Sequence, residues 1–433
     1  MTAQYSFTDR DPSGPCPADC TETDALHLSA DPLAVARSHI AASALTETPA
    51  GSGLVGLELE LHLVDLDRPA RRPDWERITE VVAGLPAMPS GSSVTLEPGG
   101  QIELSTPPVV GVAGSVAALE ADRAVLAAAL LEVGLGAAPL GTDPAREARR
   151  VNPSRRYVAM ETHFAARGCA GPGRAMMTAT AALQVNLDAG PRDGWARRTA
   201  HIRDLSPVLV AVSACSPLLG GTASGWHSMR QQAWHGIDHG RTAPIHGAEP
   251  AQAWADYALD APLMLVRDGA DAQAVTTGAS LADWVSGRAV VPRPPRVEDL
   301  DYHLTTLFPP IRPRGYLELR CLDAVPDRWW PALATIATVL VDDPVAADSA
   351  AEACAPVRDA WLVAARDGLA DRALHAAATA CLDIAVRHAP PSLHDQVDAY
   401  AELVAAGRTP GDEIRERATA TDPLTALLEE ARA

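Results

Sequence analysis

Apolar and polar residues alternate one by one along residues 56–64: Leu57, Leu59, Leu61 and Leu63 fall on one side, Glu58, Glu60 and His62 on the other. A period of two marks a strand with one face in the core. The alternation returns in residues 176–188, where Gln184, Asn186 and Asp188 oppose Leu183, Val185 and Leu187. It returns again in residues 316–322, where Glu318 and Arg320 oppose Leu317, Leu319 and Cys321. Residues 94–97 and 101–105 flank Pro98, Gly99 and Gly100, which predicts a hairpin. Helical spacing predicts helices over residues 25–45, 112–133, 195–212 and 226–236. Beyond Pro326 the Ala-rich chain reads as helical to its end, with breaks at residues 342–344, 390–391 and at Gly411. No unit recurs at a period of about 20–50 residues, so a solenoid is excluded. Strands with acidic faces, separated by helices and followed by a run of helices, predict an α+β fold around a mostly antiparallel or mixed sheet. The expected organisation is a flexible N-terminal arm over residues 1–24, a core over 25–325, and a helical region over 326–433 packed on that core.

The polar faces of these strands concentrate carboxylates: Glu58, Glu60, Glu97, Glu103 and Glu318, each between apolar neighbours. Any half-solvated sheet alternates in this way, and one such strand would mean little. Ordinary solvent faces mix Thr, Ser, Arg and Gln, however, whereas several strands here carry Glu beside amides. Their mutual repulsion calls for cations between them. Mg²⁺ takes oxygen ligands and is commonly shared between carboxylates and substrate phosphates, so the face reads as a floor for Mg²⁺ and a nucleotide. Glu318 and Arg320, two apart on one strand, set an anion beside a cation on that face. A plain cross-strand ion pair would give the same pattern.

Residues 226–242 hold His227, Arg230, Trp234, His235, His239 and Arg241. His235 and His239 have the spacing of a chelating pair, but Gly236 and Gly240 interrupt the helix. Arg230 and Arg241 are candidate anion binders for a carboxylate or phosphate, with plain surface arginine as the alternative. Gly51, Gly53 and Gly56 satisfy the dinucleotide pattern G-x-G-x-x-G on paper, yet they precede a strand where that motif must follow one.

Composition narrows the chemistry. The 433 residues include 36 basic side chains besides histidine, all of them arginine, because the chain has no lysine. A Walker A loop, a kinase phosphate lysine, a pyridoxal Schiff base and a lysine aldolase are thereby excluded. If ATP is handled, arginine and metal must neutralise its phosphates. A net charge of −19 without a basic cluster disfavours nucleic acid. The start has no signal-peptide pattern and no segment reads as membrane-spanning, which points to the cytoplasm. Seven scattered cysteines read as reduced thiols, and Cys16 and Cys20 lack a second ligand pair for zinc.

Taken together, the segments from Gly56 to Glu60, Leu96 to Ser105, Arg156 to Met160, Leu183 to Asp188, Ser228 to Arg230, Arg241 to Thr242 and Tyr316 to Arg320 resemble the plant and proteobacterial branch of the glutamate–cysteine ligases. These belong to the wider carboxylate–amine ligases related to glutamine synthetase. The nearest variant is the actinobacterial one that makes γ-glutamylcysteine for ergothioneine synthesis. The resemblance implies a glutamine-synthetase-like fold, with ATP lying across two or three Mg²⁺ ions, or Mn²⁺ in their place. It implies metal roles for Glu58, Glu60, Glu97, Glu103 and Glu318, with Gln184 and Asn186 as neighbouring ligands or nucleotide contacts. Arg320 matches a phosphate-stabilising position and Arg241 one facing phosphate, the two expected catalytic residues. Arg230, with Met160 and Trp234, and the segment of Arg156 and Tyr157, would receive glutamate. The implied reaction joins L-glutamate to L-cysteine through a γ-glutamyl phosphate. Family lysines on phosphate cannot exist here, and the plant enzymes' regulatory disulfide has no counterpart among these cysteines. A γ-glutamyl ligase for another amine, a guanidine phosphotransferase and a silent metabolite-binding protein are the rival readings. Monomer and dimer are both left open.

Overall fold

The structure is a computed structural model that describes Leu26 and residues 29–269, 271–289 and 291–433. The expected arm over residues 1–24, with Cys16 and Cys20, lies outside the described residues. Eight strands form one sheet: β1 Leu54–Asp65, β2 Ser93–Leu96, β3 Ile102–Ser105, β4 Val109–Val110, β5 Leu135–Ala138, β6 Ala182–Leu187, β7 Ile311–Pro313 and β8 Leu317–Asp323. Their main order is β7-β8-β6-β1-β3-β2, with β4 and β5 also on β1, and every pairing is antiparallel. The fold is thus the α+β class that the alternation predicts, and its antiparallel sheet leaves no place for a Rossmann unit.

Leu57, Leu59, Leu61, Leu183, Val185, Leu317 and Leu319 are all completely buried. Their face of the sheet is covered by the helices Val112–Glu132, Trp195–Ser213 and Trp330–Asp342. One hydrophobic cluster runs from Leu26 to Ala431, so the helices beyond Pro326 share the core of the sheet. Tyr400 Oη donates to the Val212 carbonyl at 2.9 Å, and Gly411 N–H to that of Ala214 at 3.1 Å, across the expected boundary at residue 326. The break expected at Gly411 falls just before it, between the helices His394–Ala405 and Pro410–Ala420, the second started by a capping box of Thr409 and Asp412.

The strand read over residues 176–188 is shorter than its alternation suggests. Residues up to Ala179 belong to the helix Ala170–Ala179, and the strand begins at Ala182. The helix of residues 226–236 starts only at Met229, with Ser228 accepting from Gln231 N–H as its cap. On the polar face of the sheet a second, smaller cluster joins Met160, Phe164, Met176, Met177 and Tyr302. It ties together the helices Arg155–Ala166 and Val297–Leu304 and a hairpin, Leu265–Asp268 with Asp271–Ala274, which form the far wall of a cavity.

Candidate active site

Register sets the floor of this cavity. Glu60 pairs with Glu103, and Glu103 with Thr95; Glu58 pairs with Gln184 and Ser105; Glu318 pairs with Asn186 and Arg312. Since alternate residues share a face, these side chains and Arg320 converge on one side of the sheet. The cavity above them has a volume of about 990 Å³. That is at the upper end of the roughly 300–1,000 Å³ of small-molecule sites, room for a nucleotide with a second ligand.

Glu58, Glu60, Glu97, Glu103, Gln184, Arg320, Arg156, Tyr157, Met160 and Trp234 all line this one cavity. Four other expected residues stand behind its wall. Asn186 donates to Glu58 Oε1 at 2.8 Å and so orients that carboxylate. Arg230, 2% exposed, donates from Nη2 to the Arg320 carbonyl at 2.8 Å and lies 3.8 Å from Asp323. Arg241, expected to face phosphate, is completely buried and donates to the carbonyls of Thr306 at 2.7 Å and Pro262 at 2.5 Å. It pins the cavity wall from outside, because burial of a guanidinium demands fixed acceptors. Glu318 is the fourth: Arg312 Nε and Nη2 donate to its two oxygens at 2.5 and 2.9 Å, and Arg320 Nη1 adds a third bond at 3.0 Å.

The electrostatics divide the carboxylates. Burial alone would raise Glu318, but Arg312, Arg320 and Arg314 outweigh it and bring its pKa down to about 2. For Glu58, burial and then repulsion from Glu103 and Glu318 raise the pKa from 4.5 to about 8, against the Asn186 bond. Glu60 is also raised by burial, although Arg230 and Arg320 and the Ala182 N–H pull the other way. Glu60 accepts from Ala182 N–H at 2.8 Å and from the Gln184 amide at 3.1 Å, while Gln184 Oε1 accepts from Arg320 at 2.6 Å. Gln184 therefore links the acidic side of the floor to its arginine.

Among the described residues no three His, Cys, Asp or Glu side chains already stand close enough to hold a metal ion, His235 and His239 included. The donor chemistry nonetheless fits a hard divalent cation: Glu58, Glu60, Glu97 and Glu103 offer only oxygens to one cavity, and a cation there would relieve the repulsion on Glu58.

Several cavity residues carry no signal that the strand pattern exposes. Arg312 and Arg314 line the floor edge, Arg312 on the short strand opposite Glu318 and Arg314 just past its end, and their spacing of two is a usable clue obscured by Pro309, Pro310 and Pro313. Arg267, Tyr302 and Phe308 reach the cavity from a hairpin strand, a helix and a loop distant in sequence. The guanidiniums of Arg156 and Arg267 both stack on Tyr302, at 4.9 and 5.0 Å.

An antiparallel sheet thus presents carboxylates and arginines together on the floor of one large cavity. Residues 54–430 match glutamate–cysteine ligase family 2 (GCS2), and the chain belongs to that family. It is a glutamate–cysteine ligase. It is 51% identical over 401 residues to glutamate–cysteine ligase EgtA of Mycolicibacterium smegmatis, covering 92% of this chain and 94% of that one. The corresponding protein of Mycobacterium tuberculosis is 50% identical over 391 residues, 89% of this chain and 90% of its own. A crystal structure of glutamate–cysteine ligase from Francisella tularensis in complex with AMP shares the fold, with a TM-score of 0.56, 15% identity and 89% of each chain covered. Among the described residues no helix is long and apolar enough to cross a membrane.

Proposed function

We propose that the protein joins the γ-carboxylate of L-glutamate to the amine of L-cysteine in two steps within this cavity. In the first, a γ-carboxylate oxygen bonds to the γ-phosphorus of ATP while the bond from phosphorus to the β–γ bridging oxygen breaks, releasing ADP. In the second, the cysteine nitrogen bonds to the γ-carbonyl carbon of γ-glutamyl phosphate, the carbon–oxygen bond to phosphate breaks, and the amine gives up a proton. The products are γ-glutamylcysteine, ADP and phosphate. The thiol pathway served is that of ergothioneine, a reading supported by the resemblance to the actinobacterial branch.

The observation that carries this is the side-by-side placement of Glu58, Glu60, Glu97 and Glu103 with Arg314 and Arg320 in one cavity. Phosphoryl transfer needs positioned cations more than covalent chemistry, and a chain without lysine must draw them from arginine and metal. Mg²⁺, two or three ions, with Mn²⁺ as a substitute, would be held by these four glutamates and would neutralise phosphate oxygens. Glu318, with both oxygens on arginines, holds Arg320 toward the transferring phosphoryl group and fixes its direction. Gln184 sets the distance between Arg320 and Glu60. Arg156, Tyr157, Met160 and Trp234 form the wall that receives glutamate, and Arg241 and Arg230 hold that wall and the Arg320 strand in place.

Oxygen-18 placed in the γ-carboxylate tests the sequence of bonds. One labelled oxygen is expected in each released phosphate; unlabelled phosphate would rule the acyl phosphate out. Glu103→Ala is expected to lower turnover at least a thousandfold with an unchanged circular dichroism spectrum, and near-normal turnover would remove Glu103 from the metal set.

A further inference from the structure

Asp323 is 1% exposed and does not line the cavity, yet it stands three residues beyond Arg320 on β8. Strict alternation would turn it away from Glu318 and Arg320, into the core with Leu317 and Leu319. Leu319 pairs with Val185, however, and Leu322 with Leu183, so β8 uses three residues where β6 uses two. The extra residue puts Leu322 into the core and Asp323 opposite Ala182, on the face of Gln184 and Arg320. Its carboxylate thereby meets the start of the helix Met229–His235, which carries Arg230 and Trp234.

The bonds around Asp323 all run toward it. Ser228 Oγ accepts from Gln231 N–H at 3.2 Å and Ser216 Oγ from Arg230 N–H at 3.1 Å. Both hydroxyls then donate to the carboxylate, at 3.0 and 2.6 Å, and Cys215 N–H adds a third bond at 3.0 Å. Gly141 makes the room, since a Cβ there would fall 2.7 Å from Asp323 Oδ2. Arg230 Nη1 lies 3.8 Å from Asp323 Oδ1. Burial works against the Arg230 charge, and Asp323 first, then Glu60, sustains it. Arg230 thus stands between one carboxylate behind the wall and one on the floor. From there its Nη2 holds the Arg320 carbonyl at 2.8 Å, and its guanidinium lies 5.8 Å from the Trp234 ring.

We propose that Asp323, acting through Ser216, Ser228 and Arg230, is a positioning residue for the first step and fixes where Arg320 and Trp234 stand in the cavity. The inference rests on the reading of Trp234 as part of the wall that receives glutamate and of Arg320 as the cation on the transferring phosphoryl group. A helix of seven residues does not hold its own place, so its start must be anchored. Without the Asp323 charge, Arg230 keeps Glu60 as its remaining carboxylate and moves toward the floor. The Arg320 carbonyl and the Trp234 ring lose their support together. Asparagine at 323 isolates this effect. Cys215 N–H and Ser216 still donate to its oxygen, and Ser228 turns to accept from its amide, so the shape stays and the charge goes.

The test measures kcat and the separate KM values for L-glutamate and ATP, by phosphate release, in the wild-type protein and in Asp323→Asn, Ser228→Ala and Thr335→Ala. Asp323→Asn is expected to lower kcat about tenfold and raise the KM for glutamate about tenfold, with the KM for ATP within about twofold of wild type. Ser228→Ala should shift the glutamate KM in the same direction by less. Thr335 is a comparator: it is buried on the covered side of the sheet and donates to the Pro331 carbonyl at 2.7 Å. Its replacement should lower the urea midpoint while leaving both KM values unchanged, because a loss of stability alone reduces the active fraction and not the KM. A glutamate KM that stays at the wild-type value in Asp323→Asn would overturn the proposal, as would an equal rise in both KM values. If Asp323→Asn fails to fold, Ser228→Ala decides by the same split. Absence of glutamate-dependent turnover in the wild type would instead strike the underlying reaction.

Discussion

His303 is 1% exposed and bonds through Nε2 to the Ala258 carbonyl at 3.0 Å, close to Arg241 and His163. Burial, and then the Arg241 charge, lower its pKa from 6.5 to about 3. The unfolded chain therefore binds a proton that the folded chain refuses, and stability is lost as pH falls below the unfolded value of 6.5. Between pH 7 and pH 5 this one group should remove roughly 2 kcal/mol of unfolding free energy. Urea titrations of the wild type and of His303→Gln check it, since the variant should lose most of that pH dependence; an identical slope would contradict the assignment. A second residue-scale prediction concerns Arg312. Replaced by Met, it leaves Glu318 buried with only part of its countercharge, which should cost about 3–5 kcal/mol in the same titrations. The alternation alone exposed Glu58, Glu60, Glu103, Gln184 and Glu318 as one face, because sheet geometry forces i and i+2 together. It could not separate Glu318 from the others, since the short hairpin that pairs Arg312 with it is hidden in the sequence by Pro309, Pro310 and Pro313.

At the scale of elements, the hairpin of β2 and β3 carries Glu97 and Glu103, and its turn is held on the end of the helix Ala170–Ala179. Gly99 approaches so closely that a Cβ there would overlap the Thr178 carbonyl, while Gln101 donates to the Thr180 carbonyl at 2.8 Å. Gly99→Ala should therefore displace Glu97 and lower kcat/KM at least tenfold. Gly194→Ala, where a Cβ would meet nothing within 4 Å, should leave kcat/KM within twofold. Equal effects of the two would contradict this docking. The hairpin was readable from its Pro98-Gly99-Gly100 turn and the apolar residues around it. The boundary near Thr180 was not, because Met176 to Ala182 is a run of small and apolar residues whose pattern suits helix and strand alike. The hairpin of Leu265–Asp268 with Asp271–Ala274 and the helix Val297–Leu304 also escaped, although they complete the cavity. Their contribution is a wall made by tertiary packing, without a motif of its own.

For the whole molecule, the helices beyond Pro326 fill the sheet's covered side, and the family match crosses that position without a break. Ser228 N–H donates to the Ala365 carbonyl at 2.9 Å, two residues before Arg230, so the C-terminal helices brace the site itself. We propose a single cooperative unit, in which a chain ended at Val325 does not fold and calorimetry of the full chain shows one transition. Two separated transitions would contradict it. The missing lysines and the acidic sheet face made phosphate chemistry legible before any comparison, whereas cysteine as acceptor came only with the family. The most direct test is mass identification of what forms from ATP, L-glutamate and L-cysteine with Mg²⁺. The account predicts γ-glutamylcysteine with one ADP and one phosphate per molecule. ATP consumed without a γ-linked product, or phosphate release indifferent to cysteine, would contradict it.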